Sequence, residues 1–111
     1  MVVWQKSMTL VKDVYKLSIH FPKEEQFVLV PQMRRSAISI PSNIAEGYGR
    51  NSRKEYKRFL SISRGSLFEL QTQLEIASEL NYISNKINYS EIINKTVEID
   101  KILNTIIKKL D

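Results

Sequence analysis

The chain predicts an all-α fold, an antiparallel up-down four-helix bundle, on three observations. Apolar and small residues recur at alternating steps of four and three in separate stretches. Pro22, Pro31, Gly47 and the cap-forming Ser52 and Ser90 fall near the ends of those stretches. No segment reads better as a strand than as a helix, and no internal repeat is present. The 111 residues make one domain, residues 1–111, large enough to bury about two-thirds of the surface that the unfolded chain exposes.

The first helix covers roughly residues 3–20. Val3, Ser7, Leu10, Val14, Leu17 and Phe21 follow 4-3-4-3-4 spacing, with Trp4, Met8, Val11, Tyr15 and Ile19 as a second stripe beside them. Together they make a face wide enough for the bundle core and for a subunit contact. Pro22 ends the helix, because the residue before a proline is pushed out of helical geometry. Residues 23–30 read as a linker with Phe27, Leu29 and Val30 tucked under the bundle. Pro31 suits the first turn of the second helix, where its missing N–H costs nothing. Met33, Ala37, Ile40 and Ile44 continue that helix. Pro41 within it predicts a kink, with Ser39 or Ser42 near the freed Ala37 carbonyl. The helix should end near Glu46, with Gly47 as the left-handed residue that closes its last turn.

Ser52 and Glu55 form a capping box that starts the third helix: the serine oxygen accepts from the Glu55 N–H and the glutamate reaches back. Tyr56, Leu60, Ser63, Leu67, Leu70, Leu74 and Ala77 then make a seam ending near Leu80. Gly65 inside that helix costs about 1 kcal/mol relative to alanine. Small residues surround it (Ser61, Ser63, Ser66) and also populate the second helix (Ser36, Ala37, Ser39, Ser42, Ala45). Close approach of the two backbones accounts for both sets; serine back-bonding within each helix is the competing account. Asn81 to Tyr89 reads as a polar loop and Ser90 as the cap of the fourth helix. Ile92, Thr96, Ile99, Leu103, Ile106 and Leu110 form its inner stripe.

Charge is the strongest functional signal. The net charge is +5, with residues 1–33 at +1, residues 34–64 at +6 and residues 65–111 at −2. The basic middle holds Arg34, Arg35, Arg50, Arg53, Lys54, Lys57, Arg58 and Arg64 against Glu46 and Glu55, and it contains every arginine of the chain. A guanidinium binds phosphate oxygens in pairs and stacks on rings, so arginine concentrated in one stretch points to a nucleic-acid backbone. At about 100° per residue the cations from Arg50 to Arg64 fall within a sector of about 140°, turned away from the leucine seam. A solvated helix face is the plainer account of the same set. Tyr48, beside these cations, suits packing over a glycine turn or stacking on an unpaired base.

Catalysis finds little support. The chain has no cysteine and one histidine, His20, at a helix end. Disulfides, thiolate zinc sites and thiol nucleophiles are therefore excluded, and the setting reads as reducing and cytoplasmic. The Glu-x-x-His pattern of di-iron bundles is absent, and EGYGRNS lacks the lysine and the preceding strand of a phosphate-binding loop. Neither a metal nor a cofactor is expected. Asn43 and Glu46, in the last turns of the second helix, read as geometry-holding groups, with Arg50 or Arg58 as an ion-pair partner for the glutamate. Lysines interrupt the opening MVVWQKSMTLVKDVYK, which does not read as a signal peptide. No run approaches the ~20 apolar residues of a membrane span.

SAISIPSNIAEGYGR followed by SRKEYKRFLSISRGSLFELQTQLEIA resembles the signature of the four-helix-bundle proteins encoded in intervening sequences of bacterial 23S rRNA genes, some of which carry a ribosomal-protein label. VWQKSMTLVKDVYKL, FPKEE and QMRRSAISI extend the resemblance over essentially the whole chain. Arg34, Arg35, Arg50, Arg53 and Arg58 occupy basic positions of the matched motif, while Ser42, Asn43, Glu46 and Gly47 occupy its core signature. The resemblance implies a ring-shaped homopentamer. It also implies kinship with the accessory protein of diversity-generating retroelements, which binds nucleic acid and a reverse transcriptase.

Two readings follow. The first is a non-enzymatic homo-oligomer that binds RNA or DNA through its basic face. The second is a scaffold whose basic face docks an acidic protein partner such as a polymerase. Membrane-surface binding is disfavoured, because the apolar faces are needed for the core.

Overall fold

The computed structural model describes residues 1–111. Four helices form: α1 Val2–Ser18, α2 Leu29–Tyr48, α3 Arg53–Glu79 and α4 Lys86–Lys109, with a 3-10 turn at Lys23–Phe27. α2 packs on α1 and α3, and α4 packs on the same two helices, whereas the backbones of the diagonal pairs stand farther apart. That cyclic order is what short connections between successive helices produce. Side-chain contacts run in opposite senses along neighbouring helices. Between α3 and α4, Lys57 meets Asp111, Arg64 meets Asp100 and Gln71 meets Thr96. Between α1 and α4, Lys6 pairs with Glu98 and Asp13 with Lys95. The molecule measures 44 × 25 × 19 Å.

One cluster of 21 buried apolar residues fills the centre. The inner stripe of α1, from Val3 through Phe21, is buried at every expected position. The α3 seam is likewise buried from Leu60 to Ala77, with Tyr56 packed at its margin. In α4 the last fully inward residue is Ile107 rather than Ile106. A straight helix drifts against a strict seven-residue repeat, so the inward position moves by one residue after several turns. Phe27 also departs from expectation: Leu29 and Val30 are buried, but Phe27 is 81% exposed. The 3-10 turn points it outward, and the Gln26 amide ties the turn down by donating to the Ser18 and Phe21 carbonyls at 3.1 Å each.

The helix ends show which local signals govern. Ser52 Oγ accepts from the Glu55 N–H at 3.1 Å, but the glutamate does not reach back, because Arg58 takes its carboxylate. Ser52→Ala is expected to cost about 1 kcal/mol and to lower the melting temperature by about 5 °C. Thermal unfolding measures this, and an unchanged midpoint would show that the cap contributes nothing. α4 starts earlier than expected, with Asn85 Oδ1 accepting from the Asn88 N–H at 3.0 Å, while Ser90 lies inside the helix. The asparagine capped first and the polar loop wound into an extra turn.

Glycine roles differ from expectation. Gly47 is helical and α2 runs past it to Tyr48; no glycine has positive φ. The left-handed residue is Asn81, at φ 63°. It closes α3 with Tyr82 N–H donating to Ala77 O at 2.9 Å and Asn81 N–H to Ser78 O at 3.0 Å. Gly47 instead permits close approach: a Cβ there would stand 2.7 Å from Phe59 Cβ and 3.3 Å from the Tyr56 carbonyl oxygen. Gly65, expected to serve that purpose, faces open space.

The serines do join α2 to α3. Ser63 Oγ donates to Ile40 O at 2.9 Å, Ser39 and Ser66 hydroxyls meet at 2.7 Å, and Ser36 donates to Glu69. Back-bonding geometry remains only at Ser36, whose Oγ lies 3.0 Å from Gln32 O and has a single hydrogen to share between that carbonyl and Glu69. α2 continues through the buried Pro41. Neither Ser39 nor Ser42 serves the Ala37 carbonyl, since Ser39 is engaged by Ser66 and Asn43 and Ser42 is exposed.

Candidate nucleic-acid interface

The eight cations divide into three groups by what holds them. Arg34 and Arg64 brace the bundle. Arg34 Nε donates to Ser18 Oγ at 3.0 Å, and its guanidinium lies 4.3 Å from the Tyr15 ring centroid, joining α2 to α1. Arg64 Nε donates to Asp100 at 2.7 Å and Nη1 to Asn104 at 3.2 Å, joining α3 to α4 in a half-buried setting. Lys57 is tied to Asp111 across the same pair of helices. These three charges are engaged within the fold.

A second group is stacked. Arg50 and Arg58 place their guanidiniums 5.1 and 4.5 Å from the Phe59 ring centroid. Each is also paired: Arg50 Nη2 with Glu46 Oε1 at 3.1 Å, and Arg58 with Glu55 through Nε at 2.9 Å and Nη2 at 3.3 Å. The bonds from Arg58 hold the Glu55 carboxyl below the usual carboxylate range. Arg50 is therefore the partner of Glu46, which is an exposed surface acid and not a buried one. Asn43 donates to Ser39 O at 2.8 Å, a geometry-holding bond within α2.

Arg35, Arg53 and Lys54 form the third group. They are exposed and have no ion-pair or hydrogen-bond partner within the chain. Arg53 and Lys54 stand in the first turn of α3, where the helix dipole opposes positive charge. Arg35 lies some 15 residues upstream on α2, away from that end, so the basic residues do not merge into one surface on a single chain. Tyr48 is 69% exposed beside the α3 start and meets Tyr56 edge-on at 6.1 Å. Burial pushes the Tyr56 phenol up, and Tyr48 adds to it.

One feature was not read from the sequence. Phe59 lies outside the 4-3 seam, and its role as a platform between two guanidiniums depends on Arg50 returning over it from the α2–α3 connection. The second stripe of α1 is also more open than a core face. Trp4, Met8, Tyr15 and Ile19 are exposed, and Trp4 and Met8 border apolar clefts together with Ile38, Ala45 and Tyr48 of α2. The two nearest the α1 start have volumes of about 270 and 350 Å³. No helix is long and apolar enough to cross a membrane.

The family model described as 23S rRNA-intervening sequence protein matches residues 1–105. A solved structure from Bacteroides thetaiotaomicron is similar over 96% of this chain and 98% of its own, at 31% identity and a TM-score of 0.85. It is described as a protein with unknown function from the S23 ribosomal protein family. Comparison with curated proteins gives no match. A motif match over nearly the whole length and a shared fold lead to one assignment: the chain belongs to the 23S rRNA-intervening sequence protein family.

Proposed function

We propose that this chain is a non-enzymatic, homo-oligomeric protein that binds the phosphate backbone of RNA or DNA through the end of the bundle where α3 begins. The observation that carries the reading is the pair Arg53 and Lys54. Both are exposed and unpaired in the first turn of a helix, where each destabilises the helix by a few tenths of a kcal/mol. Cations retained against the dipole serve something outside the helix, and a polyanion is the simplest complement. Exposed Tyr48 supplies a ring beside them that an unpaired base can stack on. The exposed Trp4, Met8, Ile38 and Tyr48 beside the apolar clefts of α1 and α2 offer a surface for self-association. Assembly multiplies a small number of free cations per chain into avidity.

The test is a salt series of binding titrations with tRNA, single-stranded DNA and duplex DNA. For duplex, Arg53→Ala/Lys54→Ala is expected to weaken binding about tenfold or more near 0.1 M salt and to reduce the slope of log affinity against log salt by about 2 per chain engaged. Salt-independent binding, or a variant with wild-type affinity and slope, would overturn this placement. Retention of a protein partner after nuclease treatment, with no nucleic acid bound at low salt, would favour the scaffold reading.

A further inference from the structure

Within that basic end, Arg50 and Arg58 are set apart by their packing. Their guanidiniums lie over the same phenyl ring, at 5.1 and 4.5 Å from its centroid. Stacking fixes the plane of each fork and lowers the entropy lost when it binds an anion. Each guanidinium already holds a carboxylate from its own helix neighbourhood: Arg58 binds both oxygens of Glu55, three residues before it, and Arg50 donates through one nitrogen to Glu46, four residues before it. A carboxylate in a guanidinium fork presents two oxygens as a phosphodiester does. All four charged groups remain solvent-accessible, so the internal pairs are individually weak and exchangeable.

We propose that Arg50 and Arg58, stacked on Phe59, form a phosphodiester clamp, and that Glu46 and Glu55 occupy it as internal competitors that an incoming backbone must displace. This rests on the nucleic-acid reading above and assigns its regulation. A scattered surface anion cannot displace the carboxylates, because each is tethered at high effective concentration. A polyanion presenting successive phosphates can, since it meets both forks together with Arg53 and Lys54. The clamp therefore raises discrimination for polyanions over single phosphates, at a cost in affinity. Arg64 cannot join it, as its fork is held by Asp100 and Asn104 on α4.

The test compares wild type with Glu46→Gln/Glu55→Gln, titrating tRNA and, separately, inorganic phosphate near 0.15 M salt. Releasing both forks is expected to tighten tRNA binding by about 3- to 10-fold, the range set by two exposed ion pairs. Phosphate binding, undetectable in wild type, is expected to become measurable. Glu24→Gln/Glu79→Gln removes the same charge from exposed sites at the opposite end. Separation along a 44 Å axis far exceeds the ~8 Å Debye length, so this variant should bind as wild type does. Adding Arg50→Gln/Arg58→Gln to the first variant should abolish the gain. Wild-type binding that is unchanged in Glu46→Gln/Glu55→Gln, or equal gains in both glutamine pairs, would overturn the clamp and leave the nucleic-acid reading standing. No tRNA binding by wild type or any variant would overturn both.

Discussion

Gly47→Ala is expected to destabilise the bundle, while Gly65→Ala stabilises it, although both replace a glycine inside a helix. The methyl group at residue 47 would stand 2.7 Å from Phe59 Cβ, 3.1 Å from Tyr56 Cδ1 and 3.3 Å from the Tyr56 carbonyl oxygen. A Cβ and a backbone oxygen cannot swing aside, so α2 and α3 must separate. Overpacking of this kind costs about 1–3 kcal/mol, offset by about 1 kcal/mol of helix propensity. A net loss near 1–2 kcal/mol corresponds to a fall of about 5–10 °C in melting temperature. A Cβ at residue 65 would meet nothing beyond its own helix backbone within 4 Å, so only the propensity gain acts, and the midpoint should rise by up to about 5 °C. Calorimetry of both variants decides the matter. Two shifts of the same sign would refute the assignment of close helix approach to Gly47.

Trp4→Asp is expected to convert the proposed assembly to single chains that stay folded. Trp4 is 38% exposed and borders both apolar clefts between α1 and α2. It does not belong to the central core. A carboxylate placed in an apolar contact between copies, with no partner, costs several kcal/mol. The same carboxylate on a free chain remains hydrated. Light scattering should therefore show a fall in mass to one chain, with helical circular dichroism unchanged. Nucleic-acid affinity should fall in parallel, because avidity from repeated basic ends is lost. A wild type that scatters as a single chain, or a variant that keeps its assembly, would remove this face from the proposal.

These outcomes trace a boundary between what the chain states locally and what its partners decide. The amino-acid sequence by itself determined four helices, the inner stripes of α1 and α3 and the Ser52 cap, because period, proline position and a serine three residues before an amide act within one helix. It also determined the surplus of arginine between residues 34 and 64, which is a count. What those arginines do was decided by packing. Arg34 and Arg64 became braces because Tyr15, Ser18, Asp100 and Asn104 stand across from them on other helices. The role of Gly47 has the same cause: a glycine near a helix end suits a left-handed cap or a close crossing equally well. Only the position of the neighbouring helix distinguishes them. Asn81, free of such a neighbour, took the cap. Phe59 likewise has no value as a guanidinium platform until the α2–α3 connection returns Arg50 over it. Contacts between residues close in sequence are written in the chain's spacing; contacts across helices depend on register, which four- and three-residue periods leave open by a turn.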